Sequence, residues 1–341
     1  MLIPALAALL YFGPFLNKKN SQLTIGFGGD TMLGRLTNET ISKCGYAYPW
    51  GNVLSLLQKT DLNIINLETT LTTSTNKTPK VFNFKADPDK VETLIVGNID
   101  VVSLANNHIL DFGVEGLQET IETLDNAEIK HVGAGKNISQ AKKPIIITKN
   151  VIAIGVIGYT DNEPGWLATQ EKPGTNYIEV GDIETVKKDI AALRKKVDII
   201  IVSIHWGPNK RQRPTQKFQN FAHQIIDADA DIIHGHSAHI FQGIEMYNNK
   251  LILYNTGDFV DDYAVDETLR NDQSFFYTVT LSKHNEKINI SNVQLTPLLI
   301  DNIQVNKATE EEKNEIIKRM QKLSLELGTK VDSKGNLQWI K

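Results

Sequence analysis

The sequence predicts an α/β fold, a sandwich of mixed β-sheets flanked by helices, and three observations carry the prediction. Short β-rich runs alternate with amphipathic helical stretches from residue 23 to about residue 236, the pattern of strands joined by crossover helices. Beyond residue 240 the β-rich runs follow one another at close spacing, as in hairpins. Among 341 residues, 41% are hydrophobic and 22% charged, which is the balance of a globular chain able to bury a sizeable core.

Taken in order, LTIGFGG (23–29), DLNIINL (61–67) and VVSLAN (101–106) read as the first three strands. VIAIGVIGY (151–159), DIIIVSI (198–204) and DIIHG (231–235) read as the next three. Asp87-Pro88 opens a helix to about Val96, with the Asp as cap and the Pro at the first helical position. Further helices are expected over 113–127, 182–196 and 214–228. IFQGIEMY, KLILYNT, SFFYTVTLS and KINISNVQLT then supply the strands of an antiparallel or mixed sheet, and Thr309 with Glu312 forms a capping box that opens a charged helix ending near Gly328. Without repeat or linker, the economical division is one sandwich domain over 23–300 and a C-terminal helical extension over 301–341.

Residues 1–22 are set apart by an uncharged run from 2 to 16, followed by Lys18 and Lys19. Fifteen helical residues reach only about 22 Å, short of the roughly 30 Å hydrocarbon core. The run fits the apolar part of a secretion signal or a marginal anchor, and a segment docked on the domain is the other reading. The expected location is membrane-associated or extracytoplasmic. The lysines behind the run leave the cytoplasm as the alternative.

Composition excludes several classes. Lys plus Arg number 36 against 40 Asp plus Glu, a net charge of −4, so no nucleic-acid partner is expected. Cys44 is the only cysteine, which excludes an internal disulfide and a thiolate zinc cluster. A metal must therefore be held by His, Asp, Glu or Asn.

Such residues gather at the ends of the predicted strands. Asp30 follows 23–29, Glu68 follows 61–67, Asn107 and His108 follow 101–106, His205 follows 198–204, and His236 and His239 follow 231–235. Ligands of open α/β sheets bind outside the carboxyl ends of strands. Carboxylate oxygen and neutral imidazole nitrogen suit divalent cations, which offer positive charge to a phosphoryl group. His234, taken to point opposite to His236, is expected to be structural, and His131, His223 and His284 to be ordinary surface or packing residues.

The segments GGDTMLGR (28–35), NLE (66–68), LANNHILDFG (104–113), HWG (205–207) and the run from His234 to Tyr263 resemble the CapA family, linked to capsule and poly-γ-glutamate synthesis. That family is similar in fold to calcineurin-like metallophosphoesterases, a sandwich of two mixed β-sheets flanked by helices. The resemblance implies Asp30, Glu68, Asn107, His205, His236 and His239 as ligands of one or two divalent ions (Mn, Fe or Zn), with Glu68 bridging. It implies Asp30 and His108 as the catalytic pair, His108 as proton donor or transition-state stabiliser. Met32 stands where such phosphoesterases carry a histidine ligand, so one metal position loses a donor.

Around these residues, Arg35 is read either as a bidentate clamp for an anionic substrate or as the partner of a nearby carboxylate. Lys210, Arg211, Arg213 and Lys217 form a basic loop, solvated or attracting a polyanion, and Trp206 and Tyr263 wall a pocket or pack the core. Asp111 and Asp258 are read as orienting ligand histidines, with a capping role in the Gly-Asp-Phe turn as the other reading of Asp258. The expected function is a metal-dependent hydrolase acting on a phosphoester or anionic polymer of the cell envelope. The alternative is a non-catalytic capsule-assembly component that binds an anionic polymer and membrane-bound synthesis partners.

Overall fold

The computed structural model describes residues 20–285 and 287–338, so the apolar run at 2–16 lies outside the described residues. Two mixed sheets face each other. The first runs Gln304–Lys307, Lys287–Asp301, Gln273–His284, Asn20–Thr31, Leu62–Leu67, Val101–Ser103, Lys130–Val132. The last four of these are parallel, and Asp258–Val260 adds beside the end of Asn20–Thr31. The second runs Ile244–Tyr247, Lys250–Leu253, Ile232–His236, Ile199–His205, Ile152–Thr160, Ile145–Lys149, with its four central strands parallel.

Side-chain alternation explains the layering. Leu23, Ile25 and Phe27 of the first strand meet Ile199 and Ile201 of the opposite sheet in one buried cluster. Ile200, Val202 and Ile204, one position out of step, pack outward against Ile190, Leu193, Phe221 and Ile225 of the covering helices. On the other flank Ile65, Leu67 and Val102 pack against Leu117, Ile121 and Leu124 of the helix Gly113–Asn126. Each such aliphatic side chain contributes about 1.5–3 kcal/mol by leaving water, and strands buried on both faces hold their carboxyl ends rigidly.

Where the elements differ from expectation, the cause is local. The third strand stops at Ser103, because Asn106 N turns back onto Leu104 O (3.0 Å) and the chain leaves the sheet. Asp87 holds the N-cap position of the short helix at Pro88 without capping it. Its carboxylate instead accepts from Asn38 Nδ2 at 3.0 Å. The helix Leu36–Cys44 had no sequence signal, since only Thr37 and Ile41 are buried along it. After residue 300, Gln304–Lys307 joins the first sheet, and the helix Glu310–Leu325 opens on the Thr309–Glu312 capping box. That helix buries Ile316, Ile317, Met320 and Leu323 in the same cluster as the sheets. Among the described residues no helix is long and apolar enough to cross a membrane.

Candidate metal centre

The carboxyl ends of the two parallel sets meet at one rim. Asp30, His205 and His236 bring one ligating atom each to within 4.8 Å of one another, and Asp30, Glu68 and His239 do the same. The two triads share Asp30. Its Oδ1 lies 3.9 Å from the Nδ1 of both His205 and His236, and its Oδ2 lies 3.5 Å from His239 Nδ1. Glu68 Oε1 is 3.9 Å from the Nε2 of His205 and of His239, and 3.6 Å from His108 Nε2. Asp30 is common to both triads, and Glu68 Oε1 likewise faces a histidine of each. Glycine makes this approach possible: a Cβ on Gly29 would stand 1.8 Å from Gly257 O, the neighbour of the strand carrying Asp258.

The residues fit a divalent cation. Glu68 Oε1 and Asn107 Oδ1 are buried without a hydrogen-bond partner among the described residues, a costly state for oxygen unless something positive faces it. Burial holds His205 and His236 well below the usual imidazole range, with neighbouring histidines adding to the effect. Their Nδ1 atoms lie 2.9 Å apart, and neutral imidazole is the ligating form. Burial pushes Asp30 up, and burial followed by the Asp30 charge pushes Glu68 well up. Burial works against a charged His239, but Asp258, Glu68 and Asp30 outweigh it and leave that imidazole raised. This is a pocket of buried acidic groups of the kind a cation would neutralise.

A surrounding layer fixes these groups. Asn66, in register with Asp30, donates Nδ2 to Asp30 Oδ1 at 2.7 Å and reaches Glu68 Oε2 at 3.4 Å and His205 Nδ1 at 3.3 Å. Asn106 Nδ2 in turn donates to Asn66 Oδ1 at 3.0 Å. Neither asparagine was singled out from sequence. For Asn66 the available signal was a polar residue inside a mostly apolar strand, two positions before Glu68 and hence on its face. Asp258 holds His239 Nδ1 at 2.8 Å, leaving Nε2 for the cluster. Asp111 holds His108 Nδ1 at 2.5 Å and also accepts from Phe84 N and Lys80 Nζ. His234 is structural, bonded to Gly28 O (2.9 Å) and Ser203 Oγ (3.3 Å). It does not point opposite to His236, however. Residues two apart on a strand share a face, and both rings reach Ser203 Oγ, His236 at 3.1 Å.

The remaining predicted residues fall elsewhere. Arg35 lays its guanidinium against Asp262, with Nε 3.1 Å from both carboxylate oxygens, so its charge is already matched. Trp206 is buried, its Nε1 donating to Tyr254 O at 2.8 Å, in the helix-covered core of the second sheet. Arg211 lines a small hollow with Trp206, Pro208 and Phe218, and no triad residue lines it. Within the basic loop Lys210 pairs with Asp266 (3.4 Å) and Arg213 with Glu326 (2.5 Å). Met32 is buried and belongs to neither triad. Tyr263 does stand at the cluster, edge-on to His239 with ring centres 5.2 Å apart. His131 and His223 pair with Asp125 and Glu245 outside the site.

Comparison with known proteins agrees with this architecture. The model of the family described as bacterial capsule synthesis protein PGA_cap matches residues 24–263. A probable polyglutamine synthesis accessory protein of Mycobacterium tuberculosis is 31% identical over 91% of this chain and 93% of its own. The PGA biosynthesis protein CapA of Bacillus subtilis is 32% identical over 70% of this chain and 63% of its own, and the capsule biosynthesis protein CapA of Bacillus anthracis is 29% identical over 73% and 62%. Among solved structures, a calcineurin-like phosphoesterase from Bacillus subtilis superposes with a TM-score of 0.50 over 90% of this chain and 98% of its own, at 13% identity. That likeness concerns the fold, a calcineurin-like sandwich of two mixed sheets.

Proposed function

This chain belongs to the bacterial capsule synthesis protein family PGA_cap, and from that premise we propose that it is a metal-dependent hydrolase acting on a phosphoester or anionic polymer of the cell envelope. The observation that carries the reading is the pair of buried triads sharing Asp30, with the orphaned oxygens of Glu68 and Asn107 beside them. Asp30, Glu68, Asn107, His205, His236 and His239 would hold one or two divalent ions, of manganese, iron or zinc. A cation there supplies Lewis acidity toward an anionic oxygen and toward water.

The chain's own contribution is positioning and proton transfer. His108, fixed through Nδ1 by Asp111 and shielded by the Phe84 ring at 4.2 Å, presents Nε2 to the cluster. From there it can donate a hydrogen bond to an anionic oxygen and a proton to a leaving group. Burial lowers its affinity for a proton, while the Asp111 hydrogen bond and charge counter that loss.

The purified chain loaded with Mn2+ is expected to hydrolyse bis-p-nitrophenyl phosphate or p-nitrophenyl phosphate. His108→Ala is expected to cost about 10²–10⁴-fold in rate, and Asp30→Ala to abolish both metal retention and turnover. The buried Met32, at a position where a histidine ligand was expected, favours a second reading, a non-catalytic assembly component. Stoichiometric binding of an anionic polymer without turnover under any added metal would establish that one instead.

A further inference from the structure

A cleft of ≈ 230 Å³ opens beside His239, walled by Phe82, Ile240, Tyr263, Ala264 and Leu269. We propose that this cleft is a subsite for the apolar tail of the substrate, an alkyl or aryl group esterified to an anionic head that sits at the triads. The inference rests on the reading of the triads as an anion-handling metal centre and adds the substrate's other end.

The accessible wall is mostly apolar, and Asn209, Lys210, Asp266 and Asn271 complete the lining. Lys210, the cation on the wall, is neutralised by Asp266 at 3.4 Å. An occupant therefore leaves its charge at the His239 end and its hydrocarbon in the cleft, the complementarity an amphiphilic anion offers.

The walls are also held in place before any ligand arrives. The loop bearing Phe82 is tied to the His108 turn, with Thr78 N donating to Asp111 O (2.8 Å) and Asn83 Nδ2 to Thr78 O (3.0 Å). Phe82 is nonetheless 58% exposed, with the Arg35 guanidinium 5.9 Å from its ring centre, and the adjacent Val81 is 89% exposed, which leaves apolar surface in water. Opposite them, Asp266 accepts from Thr268 N and Leu269 N at 3.0 Å, fixing the turn that carries Leu269. Tyr263 is wedged between the His239 ring and the Arg35 guanidinium, which Asp262 locks. Walls whose backbone is held in this way lower the ordering cost of binding.

The test is calorimetric titration of the Mn2+-loaded full-length chain with methyl-, butyl- and hexylphosphonate, non-hydrolysable probes that differ only in the tail. A methylene fully removed from water contributes about fourfold, so hexylphosphonate is expected to bind at least tenfold more tightly than methylphosphonate, about two methylenes' worth. That ratio is expected to fall to about threefold or less in Phe82→Ser/Leu269→Ser, which strips the walls, and in Ala264→Trp, which fills the space (all estimates from the same constant). Equal binding of all three probes by the wild-type chain overturns the subsite, as does a ratio untouched by both variants. Parallel turnover assays keep the two ideas apart. A chain-length ratio without hydrolysis of hexyl or aryl phosphates supports the subsite and removes the hydrolase reading, whereas hydrolysis indifferent to chain length removes the subsite alone.

Discussion

Asn66 shows how much of the candidate centre depends on a side chain outside both triads. Its single amide nitrogen serves Asp30 and Glu68 together, and its oxygen is held by Asn106. Without it, two fully buried carboxylates face each other with fewer donors, and their orientation toward the histidines is lost. Groups that orient ligands are typically worth about 10–100-fold in metal affinity. Asn66→Ala is therefore expected to weaken Mn2+ binding by about that factor, read by competition with a chelator, while circular dichroism remains that of the wild type. An affinity within twofold of the wild type would show that the backbone alone positions the ligands. The candidate ligands were legible in the sequence because each lies at, or within a few residues of, the carboxyl end of a strand, so the strand pattern places the residue at the rim. Arg35 was not. Whether its guanidinium is free depends on Asp262, which lies 227 positions away, and no local pattern reports such a partner.

At the scale of elements, the close approach of Asp258–Val260 to the first strand depends on backbone that carries no side chain. Asp30 N donates to Gly257 O at 2.9 Å, and a methyl at Gly29 would occupy that oxygen's place at 1.8 Å. Gly29→Ala must push the two segments apart, moving Asp258 from His239. Overpacking of this kind typically costs about 1–3 kcal/mol, and here backbone rather than a flexible side chain has to yield. A loss of about 3 kcal/mol by denaturant unfolding is expected, with metal retention falling alongside. Far from the site, Thr309→Ala removes a capping box whose hydroxyl accepts from Glu312 N. It is expected to cost about 1 kcal/mol with metal retention unchanged, so the pair of variants separates stability from site geometry. Strands were readable because period-two burial on both faces leaves long apolar runs. The helix Leu36–Cys44 was not, since a helix burying two residues has almost no period to read.

Across the whole molecule, the centre lies where the two sheets meet: Asp30 and Glu68 come from one sheet, His205 and His236 from the other. A cation at the triads therefore ties the two halves of the sandwich, and its effect on unfolding must depend on pH in one direction. Burial raises Asp30 and Glu68 above their ordinary values, and their neighbouring carboxylates raise His239. Burial likewise pushes Asp258, the partner of His239, up to about 6. For a raised group, stability in the metal-free state is present below its unfolded pKa and is lost as pH rises through its folded one. A cation needs the deprotonated forms, so it competes with protons below that window and replaces their stabilisation above it. His205 and His236, held low by burial, are already neutral there and do not oppose the trend. Mn2+ at about 100 times its dissociation constant contributes about 2.7 kcal/mol, worth about 4 °C in Tm for a chain of this size. Thermal unfolding of chelator-stripped protein with and without Mn2+ is expected to show a shift of that order near pH 7.5, as estimated from the same linkage. The shift is expected to be smaller near pH 5.5, where protons compete more strongly with the cation for the raised groups, and to vanish at both in Asp30→Asn, since Asp30 belongs to both triads. A shift equal at the two pH values and intact in Asp30→Asn would mean that the stabilising cation binds somewhere other than between the sheets.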